Sequence, residues 1–310
     1  MDGGKSISPT SRDLAKLLAG ISPKIEKLHV VICTHSDSDH SNGLWDLADD
    51  WKALGRKIVE FWLPGRWANA VPAILTDPVG FVSKLYSGAI EASFEMSGRP
   101  LEDASFSREA RFNKASERFA DKDDKLTSAV TPVSDPSEKR RDSDPLGLGL
   151  SLNEILALLA ANEETDDDVD LLEFALRLGK AIGSWFFSFD LTGSPEDLNV
   201  AIAVQTAFHE VAETATAIQR IAAAALKHEI PVRWFNFGEY KRLGKPSGGI
   251  RGLLQPCCLV EVVLDRDKAA QLTNLALFHS LRLSRQNVES IVFYRPESLS
   301  EPGVLIVVEK

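Results

Sequence analysis

The chain has 310 residues, 44% of them hydrophobic, enough for one large or two modest domains with a packed core. Its 45 acidic against 35 basic residues give a net charge of −10, which disfavours broad nucleic-acid binding, an affinity that rests on Lys and Arg neutralising phosphates. No apolar run reaches the roughly 18 residues of a membrane span, and no basic start leads into an apolar signal segment. The three cysteines, Cys33 and the vicinal Cys257-Cys258, show neither a paired framework nor zinc spacing, so a soluble, cytoplasmic protein without a membrane partner is expected.

In chain order, the polar start Met1-Asp2-Gly3-Gly4 leads to Thr10 or Ser11, either of which can cap a short helix through Leu14, Leu17 and Leu18, ended by Gly20 with Pro23 beyond. A strand over Leu28–Cys33 runs directly into His35-Ser36-Asp37-Ser38-Asp39-His40. Alternate side chains leave a strand on one face, so His35, Asp37 and Asp39 can converge, while the helix predicted from Asn42 carries His40 near its start. Imidazole nitrogen with carboxylate oxygen suits Zn(II), Mn(II) or Fe(II), and two such ions can hold a hydroxide ready for attack. A solvated Ser/Asp turn with incidental histidines is the bland alternative. Leu44, Leu47, Trp51 and Leu54 follow at helical spacing up to Gly55, and Lys57–Leu63 is a strand closed by Pro64-Gly65. The result is a β-α-β unit with the His/Asp loop at a strand's C-terminal end, where α/β sheets bind ligands.

Residues 70–197 read as an insertion. Within it, 98–148 carry mixed charge, few large aliphatics and Pro132, Pro136 and Pro145, so this stretch is expected not to pack. Lys139-Arg140-Arg141 reads as a solvated charge run. Two helices follow, one opened by the capping box Ser151-x-x-Glu154 and one by Asp166-Asp167-Asp168. Ser194-Pro195 then starts a long helix with an apolar stripe through Ile218, Ile221, Ala222, Ala225 and Leu226. Strands Pro231–Phe235 and Leu253–Leu264 flank a Gly-rich loop over 244–252, and a helix is predicted from about Lys268 to Leu281. The domain plan is thus a core over 1–69, the insertion over 70–197 and continuation of the core over 198–310.

Thr34 to His40 resembles the signature of the metallo-β-lactamase-fold superfamily, a strand followed by His-x-His-x-Asp-His, in the competence-type variant with Asp at the second His. The resemblance implies an α/β fold of the αββα sandwich type, here incomplete, with a large partly disordered helical insertion. It implies that His35 and Asp37 serve one metal and Asp39 and His40 a second, zinc by default with Mn or Fe as alternatives. Asp2-Gly3-Gly4 resembles the family's Asp-Gly turn, and Asn287-x-x-Ser290 followed by the hairpin around Pro302-Gly303 resembles its late strands. Where the family's bridging Asp would stand is Glu309, either a longer substitute metal ligand or the mark of a clipped strand whose true ligand is missing, and the later His has no counterpart.

The other histidines are expected to be structural: His209 and His228 on or at the end of helices, His29 at a strand start, and His279 near a helix C-terminus, where the dipole favours a protonated ring. The function implied is a metal-dependent hydrolase attacking an ester or phosphodiester through a metal-bound hydroxide, with Asp39 as the catalytic carboxylate and a small-molecule or nucleotide-type substrate. The second expectation is a truncated or degenerate member without catalysis, acting as a binding or interaction module. An exposed sheet edge in such a chain would invite pairing with another copy as a homo-oligomer.

Overall fold

A computed structural model describes residues 14–21, 23–36, 41, 43–97, 130–132, 144–148, 153–154, 157, 175–179, 195–264, 272–285 and 293–294. The β-α-β unit expected from the sequence is present. The first strand is two short pieces, β1 (Lys27–Leu28) and β2 (Val31–Ile32), and the second is likewise β3 (Lys57–Ile58) and β4 (Phe61–Pro64). They pair in parallel as one line, because the amides of Lys57, Val59, Val31 and Cys33 bond across the breaks to the carbonyls of Glu26, Leu28, Glu60 and Trp62 at 2.8–3.0 Å. Helix α1 (Leu14–Ile21) precedes them and takes Gly20 into its last turn. The crossover is α2 (Leu44–Ala53), which buries Leu44, Leu47 and Trp51.

Three helices follow β4 at once: α3 (Gly65–Ala68), α4 (Val71–Thr76) and the 20-residue α5 (Pro78–Ser97). Then come β5 (Val130–Pro132), the 33-residue α6 (Pro195–Lys227), β6 (Val232–Asn236), α7 (Phe237–Leu243), β7 (Gln255–Pro256), β8 (Val260–Leu264), α8 (Asn274–Arg285) and β9 (Phe293–Tyr294). The five-stranded sheet has the order β2-β4-β6-β8-β5. Its first three strands are parallel, with Phe61 opposite Val232 and Leu63 opposite Trp234, and β8 and β5 complete it antiparallel. This is a mixed α/β architecture.

Period-two alternation divides the sheet's side chains between two faces. Val31, Phe61, Leu63, Val232, Trp234 and Val262 belong to the large core that also holds the apolar sides of α2, α4, α5, α6 and α8. Ile32, Trp62 and Phe235 point the other way and form a second cluster with Leu254 and Leu259. There the rings of Trp62, Phe235 and Phe293 meet with centroids 4.8–5.1 Å apart. Phe293 belongs to β9, which pairs antiparallel with β7 and is tied to it again by the Tyr294 hydroxyl donating to Gln255 Oε1. Helices thus cover one face of the sheet, and a two-stranded ribbon reaches the other.

Two expectations are corrected. Residues 70–97, read as the start of an insertion, do not stand apart from the sheet: Val71, Ile74, Phe81, Leu85 and Ala89 lie in the same core, and α5 packs against both α6 and α8. Nor does 98–148 fail to pack throughout. Val130–Pro132 closes the sheet beside β8, Leu146 and Leu148 are buried, and the Val232 amide and Trp234 indole donate to the carbonyls of Pro145 and Leu146 at 2.7 Å each. A polar average over fifty residues hides short apolar pieces that pair with partners distant in sequence. The charge run Lys139–Arg141, Asp166–Asp168 and residues 1–13 lie outside the described residues. Among the described residues no helix is long and apolar enough to cross a membrane.

Asp49 on α2 ties the crossover to the end of α6, accepting from Lys227 Nζ at 2.9 Å and His228 Nε2 at 2.6 Å. Partial burial pushes its carboxyl up, but those two donors outweigh it and hold the group below its usual range. A depressed carboxylate stabilises above its unfolded pKa, about 3.9, and that stability is lost as the pH falls through the lower folded value. The carboxylate is half exposed, so Asp49→Asn should cost under about 1 kcal/mol at pH 7. Its difference from the parent should shrink in urea melts taken below pH 4; a difference that grows there refutes the linkage.

Candidate metal loop

The parallel strands β2, β4 and β6 end at one edge of the sheet, where open α/β sheets place their ligands. At this edge lie Thr34-His35-Ser36 after β2, Gly65 after β4 and Asn236 at the end of β6. A Cβ on Gly65 would sit 3.0 Å from the Phe235 carbonyl oxygen and 3.2 Å from Asn236 Cβ, so glycine lets the exit of β4 close against β6. Asn236 Oδ1 accepts the Glu239 amide at 3.0 Å and caps α7, whose buried Glu239 takes two donors from Arg242 at 2.8 and 2.9 Å.

His35 is buried where β2 gives way to the loop, with Nδ1 2.8 Å from Thr34 Oγ1. With that bond donated by Nδ1–H, Nε2 carries the ring's lone pair, the tautomer a metal ligand needs. The Cys33 thiol donates to the His35 carbonyl at 3.0 Å; burial pushes this thiol up to about 12, the hydrogen bond opposing weakly, so it stays protonated and structural. Ser36 is held from two sides. Its carbonyl accepts the Ser41 hydroxyl at 3.3 Å, and its own hydroxyl meets Thr214 Oγ1 of α6 at 2.9 Å. Ser36, Ser41 and Thr214 are all buried.

Of the five residues chosen from sequence as ligands, the structure places His35; Asp37, Asp39, His40 and Glu309 lie outside the described residues, as do Asn287 and Ser290. Among the described residues no three His, Cys, Asp or Glu side chains gather as a metal group. His279 requires a correction. It sits in the middle of α8 and not near its end, and burial, then the Arg282 charge, lowers its pKa to about 4, so the ring is neutral at pH 7. His209 faces Glu213 one turn on at 3.5 Å, and His228 binds Asp49. Sequence reading missed Thr214, whose only signal is a hydroxyl among alanines on the buried side of α6.

It also missed a buried ion cluster on the ribbon side of the sheet. Arg233 of β6 reaches Glu60 through Nε at 2.8 Å and Nη2 at 3.1 Å, and Glu261 of β8 through Nη1 at 3.1 Å. The signal was a charged residue interrupting each of three apolar strand segments. Comparison with protein-family models, curated proteins and solved structures gives no match for this chain.

Proposed function

We propose that the chain is a metal-dependent hydrolase of the metallo-β-lactamase fold, cleaving a phosphodiester or ester bond. The observation that carries the reading is His35: buried at the C-terminal end of a parallel strand, Nδ1 within hydrogen-bond distance of the Thr34 hydroxyl, and followed in sequence by Asp37, Asp39 and His40 at the spacing of a two-metal motif. A sheet with helices on one face and a two-stranded ribbon on the other supports the reading as far as one helix layer and one sheet layer of an αββα sandwich. The donor set suits zinc, or Mn or Fe, with His35 and Asp37 at one ion, Asp39 and His40 at the other, and Glu309 as a further carboxylate ligand. A bound ion of this kind supplies a water ionised near neutral pH. Asp39 would orient that water and accept the proton it gives up on ionising, and the buried hydroxyls of Ser36, Ser41 and Thr214 would hold the loop's root. A phosphodiester or nucleotide-type substrate fits a site with a carboxylate in place of one imidazole, by analogy with the superfamily variant it resembles.

The test is elemental analysis after growth in metal-supplemented medium, together with an aryl phosphodiester assay. About two ions per chain are expected, with uptake and hydrolysis both lost in His35→Ala and Asp39→Ala and the activity removed by chelator. A parent chain that purifies with no metal and takes none up overturns the reading.

A further inference from the structure

We propose that the turns leaving α1 and α2 form a docking surface for the anionic face of a lipid bilayer, met without crossing it. The inference uses none of the candidate metal ligands. The two helices pack together, and the chain leaves both at the end of the sheet where the strands begin, opposite the His35 edge. Arg56 Nη2 donates to the Pro23 carbonyl at 3.2 Å and the Lys57 amide to that of Glu26 at 2.9 Å, so the two turns are joined into one surface. Residues 21–27 and 52–57 hold five basic side chains, Lys24, Lys27, Lys52, Arg56 and Lys57, against one acidic, Glu26, in a chain whose net charge is −10. The four lysines are exposed, and among the described residues none of them is in an ion pair. Lys27 and Lys57 are partners in the parallel pairing of β1 with β3. Neighbouring strands lie about 4.8 Å apart and partner side chains share a face, so two cations stand side by side and repel. A surface of negative charge relieves that repulsion.

The same surface exposes aliphatic side chains. Ile21 is 63% exposed at the end of α1, Leu17 51% one turn before it, and Leu54 47% at the C-cap of α2. A spacing of four puts Leu17 and Ile21 on one face of α1, turned away from buried Leu14 and Leu18. These tips decide the class of partner. A nucleic-acid backbone would pair with the lysines but offer the aliphatic side chains nothing apolar to bury against. A bilayer supplies both partners: acidic headgroups for the ammonium groups and acyl chains for Leu17, Ile21 and Leu54, with the lysine stems lying along the apolar boundary. The expectation of no membrane partner rested on spanning and signal segments, which attachment to a surface does not require.

The experiment sediments the full chain with phosphatidylcholine vesicles made with and without phosphatidylserine, with near-ultraviolet dichroism as the check of folding. Binding to the vesicles containing phosphatidylserine, none to pure phosphatidylcholine, and loss of binding as salt is raised are expected. Each lysine near an anionic surface is worth about fivefold in affinity, so the double variant Lys27→Gln, Lys57→Gln should bind about 25-fold more weakly. The double variant Ile21→Ser, Leu54→Ser keeps the charge and should still weaken binding by about tenfold, which charge attraction alone would not predict. All four side chains lie on or near the surface, so both variants are expected to fold. No binding of the parent to phosphatidylserine vesicles at low salt, or parental binding in both folded variants, overturns the docking surface and leaves the metal-site reading untouched. Binding to a fluorescent single-stranded oligonucleotide with none to either vesicle overturns the bilayer in favour of nucleic acid.

Discussion

Arg233→Ala is expected to lower stability by about 3–5 kcal/mol, the range for removing one member of a buried ion cluster. The Arg233 side chain is 13% exposed, that of Glu60 11% and that of Glu261 8%, so none of the three is well solvated. Burial lowers the Arg233 pKa, but the hydrogen bonds and charges of Glu60 and Glu261 outweigh it and raise it above the ordinary value, so the side chain is cationic at every accessible pH. It bonds two strands and a loop at once: Glu60 beside β4, Glu261 on β8 and the Gly249 carbonyl at 3.1 Å. Glu60 also accepts the Trp62 indole at 3.0 Å, and Glu261 the Gly249 amide at 2.9 Å. Alanine would leave these two carboxylates on one face of the sheet without the guanidinium between them.

Urea melts of parent and variant at pH 7 measure the loss directly. A loss under about 1 kcal/mol at pH 7, typical of an exposed pair, would mean that water reaches the cluster.

Gly88→Ala is the second large effect, and its sign is opposite to what the sequence suggests. Gly88 lies within α5, where alanine normally gains about 0.5–1 kcal/mol. Here an added Cβ would lie 2.2 Å from the carbonyl oxygen of Asn274, 2.7 Å from its carbon and 2.9 Å from Phe278 Cβ. Two of those atoms are main chain at the start of α8, so relief requires the whole helix to move. Phe278 and Leu281 are fully buried, and their displacement opens the core beneath them. Overpacking of this kind costs about 1–3 kcal/mol, and several degrees of the thermal midpoint should go with it. A Gly88→Ala protein as stable as the parent would show that α8 can slide at little cost.

The strand, helix and strand over 28–63 were legible because each is written locally: apolar alternation, helical spacing of Leu44, Leu47 and Trp51, and a closing Pro64-Gly65. The long helix after Ser194 was legible for the same reason, its Pro195 start agreeing with the α6 boundary. What could not be read was pairing across distance. Val130–Pro132 became a strand because Val262–Leu264 offered it a partner, and α5 joined the core because α6 and α8 lie against it. Arg233 and Glu60, 173 residues apart, and Thr214 and Ser36, 178 apart, carry no local mark of their contacts. Backbone preference and hydrophobic period are set by a few neighbouring residues and survive in any window of the chain. Which buried charge meets which, and which helix turn steadies the His35 loop, is decided when non-local surfaces compete for burial, and that competition exists in the folded chain alone.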